Sequence, residues 1–439
     1  MLPTVFEPYI MSEEPQTVPV RPVQPYRFAV TQAEALEDLD MLSYLLDTAY
    51  SGREYWEKQG NSFPDSYRRI DAWIRGAGEK ILIEDFLETA AQAYSFIHDG
   101  HMEMAGPRGE ICSFAKTKKA YFADLLLEET QEGFSVLKSG CDALPCGSIL
   151  PAAAASGHLF PTLSPPGRKH YLLGRRLWQS ERERPAEPQL GLAIDGKHIE
   201  LPLHPCRASE ISGKNGVFTH TRRGNTDIVQ SSRFWEGDDV LIEALEEEFR
   251  QLGQSLRTAP RVIWDLHDNH GGSSAYPWAF IDGLNGCADW PVDIAALSSP
   301  AILGARGKPG ADEPVRKWVS FRPAPPRRPE KAQYDGTLYL LTSEHVGSSG
   351  EAAVSMAMNV KDLVIIGEST GGRGVFGDTL NYVLPHTGIV VTLPHKLFLS
   401  GAQEGIGFAP DYWLDAPDLL EETLRWLDAP EEYTAPVGQ

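Results

Sequence analysis

Four short stretches of this 439-residue chain set chemically able side chains beside glycines. The first, Thr342-Ser343-Glu344-His345-Val346-Gly347-Ser348-Ser349-Gly350-Glu351, joins an apolar run to a helical pattern. A serine there meets the free N–H groups and positive end of a helix, which favour an oxyanion beside a nucleophilic hydroxyl. Ser348 and Ser349 also suit plain helix N-caps, so each keeps two readings. The second, Asp265-Leu-His-Asp-Asn-His-Gly271-Gly272-Ser273-Ser274, repeats the strand-to-helix junction. Paired glycines let a backbone approach a ligand closely, so the amides of Gly271 or Gly272 could supply another oxyanion donor; a tight connection is their simpler use. The third and fourth are His98-Asp99-Gly100-His101 and Glu404-Gly-Ile-Gly-Phe-Ala-Pro-Asp411. His98 with His101, and His267 with His270, next to Asp99 and Asp268, offer metal-ligand chemistry, but neither pair has the i, i+4 spacing of a helical zinc motif. Neither a metal nor a cofactor is expected.

The elements around these stretches change character along the chain. Residues 1–25 carry prolines without periodicity and read as an extended arm. Residues 26–106 read as a helical bundle: Thr31 and Glu34 form a T-x-x-E capping box before Leu36, Leu39, Leu42, Leu46 and Ala49, and Phe86, Leu87, Ala90, Tyr94 and Ile97 make a second apolar stripe. Residues 107–206 hold short β-prone runs broken by glycine and proline, with Asp195-Gly196 as a hairpin turn. Residues 207–439 alternate strand and helix patterns around the buried runs 261–266, 337–342 and 363–367, which predicts an α/β domain with a largely parallel sheet. The proline- and arginine-rich segment 300–335 is expected to be a surface loop.

Composition narrows the partners. Lys and Arg number 40 against 61 Asp and Glu, a formal charge of −21 that repels nucleic acid and anionic membranes. No run approaches the ~20 apolar residues of a membrane span. Five scattered cysteines without a C-x-x-C pair suit a reducing compartment. With no signal-peptide pattern at the start, a cytoplasmic location is the expectation.

In order and spacing the motifs resemble the tail-specific (C-terminal-processing) and tricorn-type serine peptidase family. That family's D-G-H-T, D-x-R-x-N-x-G-G, S-x-x-E, G-E-x-T-x-G and E-x-x-G-x-x-P-D stand here as Asp99-Gly-His-Met102, Asp265 to Gly272, Ser348-Ser-Gly-Glu351, Gly367-Glu-Ser-Thr-Gly-Gly372 and Glu404 to Asp411. The resemblance implies a crotonase-like (ClpP-like) spiral α/β catalytic domain, and it places 107–206 where many relatives carry a PDZ domain. It implies Ser348 as nucleophile and Ser349 as oxyanion donor, with Gly271 or Gly272 as partner. Arg373 occupies the position of the lysine base used by one branch, and a guanidinium with pKa above 12 cannot act as a base. The tricorn-like design remains, with His101 as general base and Glu404 orienting it. Tricorn has a serine where this chain has Gly100. The implied partner is a peptide or protein substrate, and a homo-oligomer is compatible with it. Two further classes fit the same resemblance: a binding protein on this fold, and a hydrolase of non-peptide amides or esters.

Overall fold

The computed structural model describes residues 27–180, 188–194, 196–209, 217–235, 239–290, 292–307, 316–321, 334–400 and 402–437. The arm read at 1–25 lies outside them. The chain forms two compact units, one of residues 1–116, 291–324 and 373–405, the other of 117–290, 325–372 and 406–439.

In the first unit the capping box forms as read: Thr31 Oγ1 accepts the Glu34 N–H at 3.3 Å and the Glu34 carboxylate accepts the Thr31 N–H at 2.7 Å, opening the helix Gln32–Thr48. Helices Phe63–Gly76 and Ile83–Ala93 follow, and their apolar faces share one core with Met102, Met104, Phe376 and Leu393 of a neighbouring sheet. That sheet runs in the order Lys317–Phe321, Asp293–Ser298, Val390–Leu399, Asp99–Ala105, Ile111–Phe114, with Phe376–Val383 also paired to Val390–Leu399. The His98–His101 segment therefore does not end in a helix tail but enters a strand, and the alternating burial of Met102 and Met104 is the period-2 signal that marks it. The segment 300–335 is not all loop. It holds the helix Pro300–Ala305 and the strand Lys317–Phe321, while residues 308–315 and 322–333 lie outside the described residues.

The second unit carries two larger sheets. An antiparallel one, ordered Ile149–Leu150, Gly133–Ser139, Lys116–Thr130, His170–Ser180, Leu159–Thr162, accounts for most of the β-prone runs. The strands Gln189–Ile194 and Lys197–Pro202 pair as an antiparallel hairpin, and of the expected turn residues Asp195 lies outside the described residues. The other sheet is ordered Thr219–Arg223, Thr226–Gln230, Arg261–Asp265, Thr337–Thr342, Leu363–Gly367, Tyr412–Trp413, parallel after its first pair. Its central strands are apolar in their middles, at Val262–Trp264 and Leu338–Leu341, because both faces are covered. Val262, Trp264, Leu338 and Leu340 enter one core with the helix Ala275–Asn285, while Ile263, Tyr339, Leu341 and Ile366 enter another with the helix Leu419–Asp428. Parallel neighbours end at one edge, so the turns after Asp265, Thr342 and Gly367 lie side by side where such sheets bind ligands.

Candidate active site

Ser348 sits on the second of these turns, immediately before the helix Ser349–Ala357, with φ 54° and ψ −122°. Positive φ is costly for a residue with a side chain, by about 1–3 kcal/mol, and is held only where the surroundings fix it. Here they do. Its carbonyl accepts the N–H groups of Glu351 and Ala352 at 2.9 and 3.1 Å, and Gly347 N–H donates to the Asn269 carbonyl at 3.2 Å. A sharp strand-to-helix turn of this kind presents a serine hydroxyl at the edge of an α/β sheet.

Gly271 packs directly against this turn. A Cβ at Gly271 would lie 2.8 Å from the Gly347 carbonyl oxygen and 2.8 Å from Ser348 Cβ, and Gly271 and Gly272 have φ of +103° and +131°, so glycine is required at both. The Gly271 N–H is taken by Asn269 Oδ1 at 2.9 Å. Its carbonyl accepts the Phe234 N–H at 2.8 Å, which turns the trans Gly272 N–H the opposite way. Ser349 Oγ donates to the Gly272 carbonyl at 2.6 Å and lies 2.8 Å from Ser274 Oγ, tying the glycine turn to the helix start.

The remaining motif residues of this unit lock the turns together. Glu351 Oε1 accepts Thr370 Oγ1–H at 2.5 Å and the Gly372 N–H at 3.0 Å; Thr370 Oγ1 in turn accepts the Phe408 N–H at 2.8 Å. Gly371 N–H donates to Val346, and Asp411 accepts the Ile365 N–H at 2.8 Å. The antiparallel sheet grips the same turns, through Ala120 N–H on Glu368 at 3.1 Å and Lys119 on Glu344 at 2.7 Å. His267, at the arginine position of the resembled motif, places Nδ1 2.5 Å from Asp265. Burial alone would lower its pKa, but the hydrogen bond and charge of Asp265, with Asp268, raise it on balance.

His101 and Glu404 belong to the first unit, and Ser348, Ser349, Gly271 and Gly272 to the second. His101 lies where the register of Asp99–Ala105 against Ile111–Phe114 shifts between Asp99 and Glu103, an irregularity that re-aims side chains. Asp99, fully buried, accepts the His101 N–H at 2.8 Å and the Tyr50 hydroxyl at 3.0 Å, while Trp56 Nε1 donates to Tyr50 at 2.8 Å. Glu404 accepts the N–H groups of Gly100 and Val375, each at 3.1 Å. The structure thus brings Glu404 and His101 together: one carboxylate oxygen each of Asp99 and Glu404 and a ring nitrogen of His101 lie within 4.8 Å of one another. Burial lowers the His101 imidazole to about 4, with Arg373 adding to the effect, and burial raises Asp99 to about 7. His101 Nδ1 is buried and unpartnered among the described residues. Gly100 is glycine for a local reason, since a Cβ there would meet Arg373 Cγ at 2.6 Å and Cδ at 2.9 Å.

Asp99, His101 and Glu404 are the donors that could hold a metal, although backbone donors and Tyr50 already bind the two carboxylates and a guanidinium acts on the imidazole. The histidine pairs weighed from sequence have other contacts: His98 packs edge-on against Trp56 at 5.7 Å between ring centroids, and His267 bonds Asp265. Sequence reasoning gave no role to Tyr50, Trp56 or Asn269, and weighed Asp99 only as a metal ligand beside the histidine pair. The motif patterns contained Asp99 and Asn269, whereas nothing local singles out Tyr50 and Trp56.

Residues 228–414 match the model of Peptidase family S41. No curated relative matches the chain. Among solved structures, a CPAF mutant superposes with a TM-score of 0.50 at 14% identity, covering 91% of this chain and 97% of that one. Mature CPAF gives 0.49 at 13% identity over 93% and 99%. Tricorn protease gives 0.41 at 15% identity, with 91% of this chain on 37% of that chain.

Proposed function

We propose that this chain, whose residues 228–414 match the model of Peptidase family S41, is a serine-type peptidase of the tail-specific and tricorn-type family that hydrolyses peptide bonds through an acyl-enzyme on Ser348. The observation that carries the reading is the positive-φ Ser348 at the carboxyl edge of a parallel sheet, with Gly271 packed on its Cβ. Ser348 Oγ attacks the substrate carbonyl carbon while its proton passes to His101. The tetrahedral oxyanion accepts hydrogen bonds from Ser349 N–H and from the glycine turn. Gly272 is the donor there, because Asn269 already holds the Gly271 N–H. Collapse returns the proton to the leaving amine, and water, deprotonated by the same imidazole, releases the acid. Glu404 and Asp99 fix the backbone around His101, and Glu404 supplies negative charge to the imidazolium. The motif order supports pairing His101 with Ser348, and the buried neutral imidazole supports its use as a base. On the same family grounds we assign the crotonase-like spiral to the catalytic domain and a PDZ-like role to residues 107–206, which would take a substrate tail by strand addition.

The test is intact mass after exposure to a fluorophosphonate. Wild type should gain a single adduct that Ser348→Ala lacks, with both proteins folded. Peptide hydrolysis persisting in Ser348→Ala would remove Ser348 from the mechanism.

A further inference from the structure

We infer that Asn269 is a positioning residue of this reaction: its buried carboxamide sets the turn that offers the oxyanion donor, and the main-chain carbonyl that the carboxamide thereby holds in place anchors the turn that carries Ser348. The inference rests on the reading of Ser348 as the nucleophile. Asn269 has no exposed surface, and its polar groups reach four segments of one unit. Its N–H donates to the Leu266 carbonyl at 2.8 Å, closing the turn after the strand Arg261–Asp265. Nδ2 donates at 3.0 Å to the Ser231 carbonyl, just past the strand Thr226–Gln230. Oδ1 accepts the Gly271 N–H at 2.9 Å, and the main-chain carbonyl accepts the Gly347 N–H at 3.2 Å, one residue before Ser348. The start of the nucleophile helix rests on the same residue, since a Cβ at Gly350 would lie 3.0 Å from the Asn269 carbonyl oxygen and 3.2 Å from Oδ1.

The chemistry asks for this side chain. It must donate to a carbonyl and accept from an N–H at once, and a carboxamide does both through two separate atoms, Nδ2 and Oδ1. The Oδ1 bond also consumes the Gly271 N–H. With Phe234 N–H on the Gly271 carbonyl, it leaves the Gly271–Gly272 peptide one orientation, with the Gly272 N–H free to face a developing oxyanion. Asn269→Asp keeps the acceptor but sets a carboxylate oxygen against the Ser231 carbonyl; Asn269→Leu keeps neither bond. Either change lets both turns drift, and a misplacement near 1 Å costs a reaction about 100-fold.

The experiment measures fluorophosphonate inactivation of the full chain, separating the limiting inactivation rate from the half-saturating concentration. Asn285→Ala is the control: Asn285 is equally buried in the same unit and donates to the Asn359 carbonyl at 3.1 Å, away from the turns. Both Asn269 variants should lose about 100-fold in limiting rate with half-saturation within about threefold of wild type. Asn285→Ala should lower the urea midpoint and keep the rate. Should Asn269→Leu fail to fold, Asn269→Asp, which retains the Oδ1 acceptor, carries the test. A wild-type limiting rate in Asn269→Asp overturns the inference, as does a loss in Asn285→Ala of the same size for the same lost stability. No adduct on folded wild type would instead overturn the reading of Ser348 and take the inference with it.

Discussion

The protonation of His101 gives a prediction that needs no knowledge of the substrate. Burial, with Arg373 adding its charge, lowers the imidazole to about 4 from its ordinary 6.5. At pH 5.5 a group titrating at about 4 is about 97% neutral and able to take a proton, against about 9% for one at 6.5. The second-order rate of fluorophosphonate labelling should therefore hold nearly constant from pH 8 to pH 5.5 and fall only towards pH 4. Arg373→Met keeps the bulk and removes the charge, so its acid limb should move up towards 6.5 without reaching it, because burial remains. Asp99, which titrates at about 7, is separated by Asp99→Asn, which should leave the limb in place. The same shift has a stability consequence. The folded imidazole binds its proton less readily than the unfolded one, so stability present above pH 6.5 is lost as pH falls towards 4, by about 3 kcal/mol at ~1.4 kcal/mol per pH unit. A wild-type rate already tenfold lower at pH 5.5 would refute the reasoning, and so would an Arg373→Met limb that does not move.

Two further perturbations test the packing around the two halves of the chemistry. Gly271→Ala would force a Cβ to within 2.8 Å of both Ser348 Cβ and the Gly347 carbonyl oxygen at φ +103°; labelling should fall by about 100-fold and stability by about 1–3 kcal/mol, and a wild-type labelling rate would show that the turns are not held against each other. Gly100→Ser should destabilise wild type by about 1–3 kcal/mol but far less in an Arg373→Ala background, because the arginine stem fills the space a side chain at 100 needs. A urea double-mutant cycle measures this, and additive effects would count against it.

The strand-to-helix turns were legible because their signals are local. A buried strand followed by a glycine- or serine-bearing helix start names the residues at Gly271, Gly272 and Ser348 without reference to any other part of the chain. The capping box at Thr31 and the hairpin of Gln189–Ile194 with Lys197–Pro202 were readable for the same reason. Where the reading stopped, the partner was remote in sequence. Tyr50 meets Asp99 across 49 residues, and Glu404 meets the Gly100 N–H across 304. The strand character of Asp99–Ala105 was hidden behind a strong helical stripe that ends just before it, and its pairing partner Val390–Leu399 lies far along the chain. Likewise Lys317–Phe321 sits among prolines and arginines that say loop, and only its neighbour Asp293–Ser298 makes it a strand.

The motif residues also divide by what they do, which spacing alone does not reveal. Glu351, Thr370, Asp411 and Glu404 look equally reactive in sequence and all accept backbone N–H groups; the first three tie together the segments around Thr342, Gly367 and Phe408, whereas Glu404 lies beside the His101 ring. The two departures from the resembled pattern belong together. Arg373 stands where the other branch keeps a lysine base, and its stem lies where a side chain at residue 100 would go, so Gly100 follows from Arg373. The charge of Arg373 adds to burial in disfavouring the protonated imidazole of His101. On the proposed mechanism, then, position 373 holds not a base but a charge that, together with burial, keeps the imidazole of the proposed base neutral.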